Sequence, residues 1–297
     1  MVVPYIFVII SGCLWGCLGT IFKGLQVYGV TSIEAAAFRQ LIASILVGLV
    51  LLVKNRQAFR VTRRQLLPLI LAGGVGSGIY NLVYFMAIDA TSVSFAAALS
   101  YTAPAFVTIF SFFLFKEKLT GQKLISLLIM FIGCLFVTGV LREGGALYPP
   151  RGILLALAGG LSYSLYSLFL KMAVSRGCSS ETASFYCLFF AFLMVAPFSG
   201  FWRVTAAFTV PGCSLLVLAL GIFTAAIPSA LYSWAMTRAE SSKASMIASV
   251  DLVMATLLGV VLFNDPLSPA QFIGIALILG AVLLLSYQKT ARPNKVL

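Results

Sequence analysis

The segment "WGCLGTIFK" (residues 15–23) returns 148 positions later as "YSLYSLFLK" (163–171), with an aromatic residue at its first place and a lysine at its last. The same offset extends the match along most of the chain without a gap. Gly29 falls on Gly177, and Tyr84 and Ala87 of "YFMA" fall on Tyr232 and Ala235 of "YSWA". "LFKEKLT" (114–120) falls on "LFNDPLS" (262–268), sharing Leu, Phe, an acidic residue, Leu and a hydroxyl residue. Apolar helices resemble one another in general. Aromatic, Lys, Gly and acidic residues held at one offset do not arise that way, and they identify two homologous halves.

Each half is a set of membrane-length helices. Hydrophobic residues make up 61% of the 297 and charged residues 9%, and the mean hydropathy is +1.06, values outside the range of soluble domains. A helix needs about 20 apolar residues to cross roughly 30 Å of hydrocarbon. Ten runs qualify, near residues 4–23, 33–53, 66–88, 92–115, 121–141, 152–173, 183–202, 212–236, 244–263 and 269–287. The expected fold is therefore an all-α polytopic membrane protein with ten transmembrane helices, arranged as five-helix repeats over 1–143 and 150–290 with a tail at 291–297. An odd number of spans per half inserts the second half upside down. Inverted repeats of this kind build alternating-access carriers, whose substrate sites lie near the midplane where the halves meet.

Lys and Arg set the orientation. With the amino terminus inside, 15 of the 20 basic residues face the cytoplasm. Both termini are accordingly placed there, in a bacterial-type cytoplasmic (inner) membrane. The net charge of +12 raises the question of nucleic acid. The basic residues, however, form short clusters between apolar runs, where they meet anionic lipid headgroups. The expected partners are the lipid bilayer and a small-molecule substrate, not nucleic acid. The first run, "MVVPYIFVIISGCLWGCLGTIF" (1–22), has no basic n-region and is read as a retained helix rather than a cleaved signal.

Several chemistries are disfavoured at this level. The six cysteines form no CxxC pair and the chain has no histidine, so no metal site and no cofactor are expected and the cysteines are assigned to packing. No GxxxxGK[ST] sequence is present for ATP-driven transport. A membrane-embedded enzyme is disfavoured by the lack of histidine and of an acidic pair within a span. A receptor or scaffold is disfavoured by the short connections.

Three stretches carry a family likeness: "LWGCLGTIFKGL" (14–25), "YFMAIDATSVSFAAALSYTAPAFVTIFSFFLFKEKLT" (84–120) and "GIALILGAVLL" (274–284). Together they resemble the drug/metabolite transporter superfamily, specifically its EamA-type group with two five-helix repeats. The most specific part is the run into Pro104 followed by "KEKLT" (116–120); the second half departs from it with Leu252 in place of Pro104. The resemblance implies a central cavity lined by spans one to four and six to nine. It places spans five and ten at the periphery, where a homodimer contact is open to them. It names no substrate.

Candidate lining residues are the aromatics deep in the inner spans: Trp15 and its repeat mate Tyr163, Tyr80 and Tyr84 with Tyr232, then Tyr101, Tyr166 and Trp234. Buried Tyr and Trp need polar partners, and their ring faces hold cations at about 0.5–2 kcal/mol each. The competing reading for each is packing or an interfacial belt. Asn81 adds an amide. Gly12 and Gly16, like Gly74 and Gly78, have the spacing that lets helices approach closely. Pro104 and Pro228 are candidate hinges in spans four and eight, with the Gly-rich run of span three beside them.

Asp251 is the outstanding residue. It lies roughly 12 Å into span nine, where a charge costs on the order of 2.5–3.5 kcal/mol on insertion scales, and its repeat mate is Ala103. Two readings stay open. Asp251 is the counter-charge for a cationic substrate or a coupling proton, or it pairs with Arg39, roughly 9 Å nearer the outside. Glu34 and Asp89 are read as solvated near the outer surface. The functional expectation is a secondary transporter of a small organic metabolite, an amine or quaternary ammonium compound by the aromatics and Asp251, with a zwitterionic or aromatic amino acid as the alternative.

Overall fold

The computed structural model describes residues 3–54, 56–140, 148–204, 209–264 and 266–286. The tail at 291–297, the ends of the two expected halves (141–143 and 287–290) and Asp265 of "LFNDPLS" lie outside them. Among the described residues there is no strand. Nine helical segments among the described residues are long and apolar enough to span a membrane. They are Val3–Gln26 (span one), Ser32–Lys54 (two), Arg63–Ala90 (three), Phe95–Phe115 (four), Gly121–Thr138 (five), Pro150–Ser175 (six), Ser180–Ser199 (seven), Pro211–Met236 (eight) and Ser241–Phe263 (nine). Pro269–Ser286 is span ten. The chain is a polytopic membrane protein of about ten helices, and the limits read from hydropathy differ from these by no more than three residues.

Local chemistry sets the ends. Thr31 and Glu34 form a reciprocal cap on span two, with the Glu34 carboxylate accepting the Thr31 N–H at 2.7 Å and the Thr31 hydroxyl accepting the Glu34 N–H at 3.4 Å. Thr120 and Ser179 cap spans five and seven through the N–H groups of Lys123 and Thr182. The 148-residue offset is written into the backbone as well. Gly29 and Gly177 both turn with positive φ, at 75° and 80°. Lys116 and Asn264 both take φ 54°, a left-handed cap that donates to Ser111 and Gly259 in turn.

Five spans are interrupted, among them spans three, four and eight, which carry the hinge candidates. Span one breaks at Cys17, between Val3–Gly16 and Leu18–Gln26. Span four breaks at Tyr101–Thr102 and span nine at Ser249, one offset apart within a residue. Spans three and eight carry π-helical stretches at Leu71–Ile79 and Ile222–Ala226. Such turns lie one residue out of step with the α ladder and recur at functional sites. Pro104 follows the break in span four and Pro228 follows the π stretch in span eight, where the backbone already departs from the α pattern.

Close packing explains many of the glycines. A Cβ at Gly16 would stand 2.5 Å from the Asp251 carbonyl oxygen and one at Gly12 2.8 Å from that of Ala248, so span one lies directly on span nine. In span three the close approach is made by Gly76, against the Tyr166 backbone, and by Gly78 against Met194, whereas Gly74 meets nothing within 4 Å. Spans five and ten pack on each other through Gly133 and Gly274. Neither lines the cavity that the remaining eight enclose.

Candidate functional site

A central cavity takes its wall from spans one to four and six to nine. The helix breaks position its polar groups. The break at Ser249 places Asp251 in the first turn of Val250–Phe263, where the backbone N–H dipoles favour a negative charge. Its Oδ1 accepts the Leu252 N–H at 2.7 Å and the Tyr101 hydroxyl at 3.1 Å. Tyr101 is itself the residue at the break of span four. The two interrupted helices, one from each half, thus meet through a phenol and a carboxylate.

Arg39 reaches the same cavity from span two, and its Nε donates to the carbonyl of Thr224 at 3.2 Å. Thr224 belongs to the π stretch of span eight, so the guanidinium is held by backbone rather than by acid. The Asp251–Arg39 ion pair allowed by the sequence is not formed: among the described residues, ion pairs join only Lys123, Lys243, Glu117 and Glu240. Beside Arg39, Gln40 is 2% exposed, and its Nε2 donates to the Ser77 hydroxyl at 3.2 Å. Its Oε1 has no hydrogen-bond partner. A buried acceptor left open at a cavity wall costs about 1–3 kcal/mol unless a ligand or water donates to it.

The remaining expected residues divide by position. Trp15, Tyr80, Tyr84 and Tyr163 line the cavity, as do Tyr101, Tyr166 and Pro104. Tyr80 lies 5.5 Å from Tyr84 and 5.3 Å from Tyr163, centroid to centroid, forming a continuous aromatic wall. Asn81 also lines it, with its amide donating to the Ser77 carbonyl at 2.6 Å. Tyr232, Trp234 and Pro228 are not at the wall. Tyr232 lies below it, 1% exposed and bonded to Ser167 at 2.8 Å. Trp234 packs edge-on against Phe7 and carries Arg238 over its face at 4.6 Å, the belt-like role weighed for it in sequence. Sequence reading passed over Gln40, Ser77, Ser100, Ser245 and Ser249, all on the wall. Their signal was only that of polar residues inside apolar runs.

One end of the cavity is shut. We call it the basic end, after the connections at 54–63, 115–121, 175–180 and 236–241. Tyr166 stacks on Tyr232 with centroids 6.0 Å apart, and Trp15 lies 5.2 Å from the same ring. Below them Lys171 donates from Nζ to the carbonyls of Met236 and Ala239, at 2.7 Å each. Glu117 then accepts the N–H groups of Ser241 and Ser242 at 2.6 and 3.2 Å and the Ser242 hydroxyl, while Lys123 joins Glu117 to Glu240. Towards the opposite end the packing is looser. Leu18, on the wall, is 37% exposed, and a Cβ at Gly19 would meet nothing within 4 Å.

Comparison with known proteins follows the two halves. The EamA-like transporter family matches residues 3–139 and again 150–287. The uncharacterized transporter YetK of Bacillus subtilis (strain 168) is 24% identical over 252 residues, covering 84% of this chain and 76% of its own. The pseudopaline exporter CntI of Pseudomonas aeruginosa (strain UCBPP-PA14) is 28% identical over 222 residues, covering 73% and 71%. A protein of known crystal structure shares the fold with a TM-score of 0.78 at 23% identity over 95% of each chain.

Proposed function

The chain belongs to the EamA-like transporter family, and on that premise we propose that it carries a small organic metabolite across the cytoplasmic membrane by alternating access, with both termini in the cytoplasm. The basic end is then the cytoplasmic end, and the cavity faces outward. The observation that carries the substrate class is the presence of Asp251 and Arg39 at one cavity with no ion pair between them. A buried charge without a counter-charge is costly, and a ligand bearing both signs relieves both. We therefore place a zwitterionic, amino-acid-like metabolite first: its ammonium goes to Asp251, its carboxylate to Arg39 and its apolar part against Tyr80, Tyr84 and Tyr163. An amine or quaternary ammonium compound is the second reading, favoured by the density of ring faces. Proton coupling at Asp251 belongs to either, since a proton and an ammonium compete for one carboxylate.

Tracer flux into protein-containing liposomes tests the proposal. Saturable uptake of zwitterions that falls in both Asp251→Asn and Arg39→Gln is the expected result. Uptake of simple amines that survives Arg39→Gln selects the second reading. Full uptake in Asp251→Asn, with the protein folded, overturns both.

A further inference from the structure

The two halves pass through equivalent positions, yet the structure holds them in different shapes. In the second half, span six is one uninterrupted helix whose Lys171 seals the basic end against the end of span eight and the turn that follows it. The seal has a fixed set of parts: Tyr166 stacked on Tyr232, Ser167 bonded to Tyr232, and Lys171 on the carbonyls of Met236 and Ala239. Subtracting 148 gives Leu18, Gly19, Tyr84 and Lys23, with the carbonyls of Ile88 and Thr91. These parts stand apart. Span one is interrupted at Cys17, Leu18 is 37% exposed, Gly19 has open space beside it, and Tyr84 lines the cavity. The exposed Lys23 rests its ammonium over the Phe263 ring, 3.6 Å from the centroid.

We propose that Lys23 is the latch of the outer mouth: when the halves exchange shapes, its ammonium leaves Phe263 and takes the main-chain carbonyls of Ile88 and Thr91. The chemistry is that already made by Lys171. Carbonyls at and just past a helix C-terminus carry partial negative charge, the Ile88 oxygen keeps a second lone pair beyond the Thr91 N–H it accepts at 3.2 Å, and an ammonium offers three donors in a compact head. Gly19, standing where span six has Ser167, leaves space for the Tyr84 ring to close over span one. By the same exchange Lys171 releases Met236 and Ala239 as the basic end opens, so one latch is made at a time. This inference rests on the alternating-access reading, and its test separates the two.

Spin labels read it directly, in the full chain reconstituted in liposomes and on a background with the six native cysteines replaced by serine. Val27→Cys with Asp89→Cys reports the outer mouth, and Ser175→Cys with Thr237→Cys reports the basic end; all four positions are exposed. The parent is expected to show two separations at each pair. Lys23→Met should deplete the short outer population about tenfold, the loss of a charge-assisted hydrogen bond. Lys23→Arg should keep most of it, and Lys171→Met should enlarge it. An unchanged short population in Lys23→Met overturns the latch and leaves alternating access standing. A single, invariant separation at both pairs in every variant overturns both.

Discussion

Glu117, from the end of span four, caps the helix that begins at Ser241: its Oε1 accepts the Ser241 N–H at 2.6 Å and its Oε2 the Ser242 N–H at 3.2 Å. One carboxylate thus ties the first half to the second at the basic end. Its side chain is only 8% exposed, and Lys123 approaches to 3.5 Å from behind.

Removing that carboxylate therefore loosens the basic end. Glu117→Ala is expected to cost about 2–3 kcal/mol, the range for charge-assisted hydrogen bonds lost from a buried group. Thermal unfolding in detergent checks this; a Tm equal to that of the parent would show that the cap contributes nothing.

Glu240 gives the pH dependence. Burial pushes its carboxyl up, but the hydrogen bond and charge of Lys123, with Lys243 adding to them, bring it net below the ordinary 4.5. A carboxyl depressed in the folded state stabilises above its unfolded value, and that contribution is lost as pH falls through the folded one. The Tm advantage of the parent over Glu240→Gln should thus be full near neutral pH, begin to shrink below about pH 4.5 and vanish at lower pH. An advantage that grew on acidification would reverse the assignment.

The glycines of span three offer a paired comparison. Gly76→Ala drives a Cβ to 2.5 Å from the Tyr166 nitrogen, and backbone cannot move aside cheaply. A loss of about 1–3 kcal/mol follows from overpacking. Gly74→Ala, with nothing within 4 Å, should be neutral or slightly stabilising. Equal Tm values for the two variants would mean that spans three and six can separate freely here.

At the proposed site, Tyr101→Phe removes the hydroxyl bonded to Asp251 without changing the ring. Substrate affinity in liposome uptake should fall about tenfold, the equivalent of one hydrogen bond to a charged group, while Asp251→Asn should abolish uptake. If Tyr101→Phe binds as tightly as the parent, the phenol is not organising the carboxylate for substrate.

Hydropathy and self-comparison determined a large part of this protein. The ten spans were legible because a membrane demands about 20 apolar residues in a row, a local property of the chain. The pairing of the halves was legible because Trp15, Lys23, Gly29 and Glu117 each have a counterpart at one offset. The Thr31–Glu34 cap is readable too, as a threonine three residues before a glutamate. Tertiary structure decided which polar groups meet. In a span flanked by lipid on one side and apolar neighbours on the other, hydrophobic periodicity does not say which face turns inward. Sequence could therefore offer Arg39 to Asp251. Only the packed helices gave Arg39 to the Thr224 carbonyl and Tyr101 to Asp251, left the Gln40 acceptor open and moved Trp234 away from the cavity. The breaks at Cys17 and Ser249, which no proline marks, were decided at the same level, whereas the break at Tyr101 lies three residues before Pro104, the hinge candidate that sequence does show.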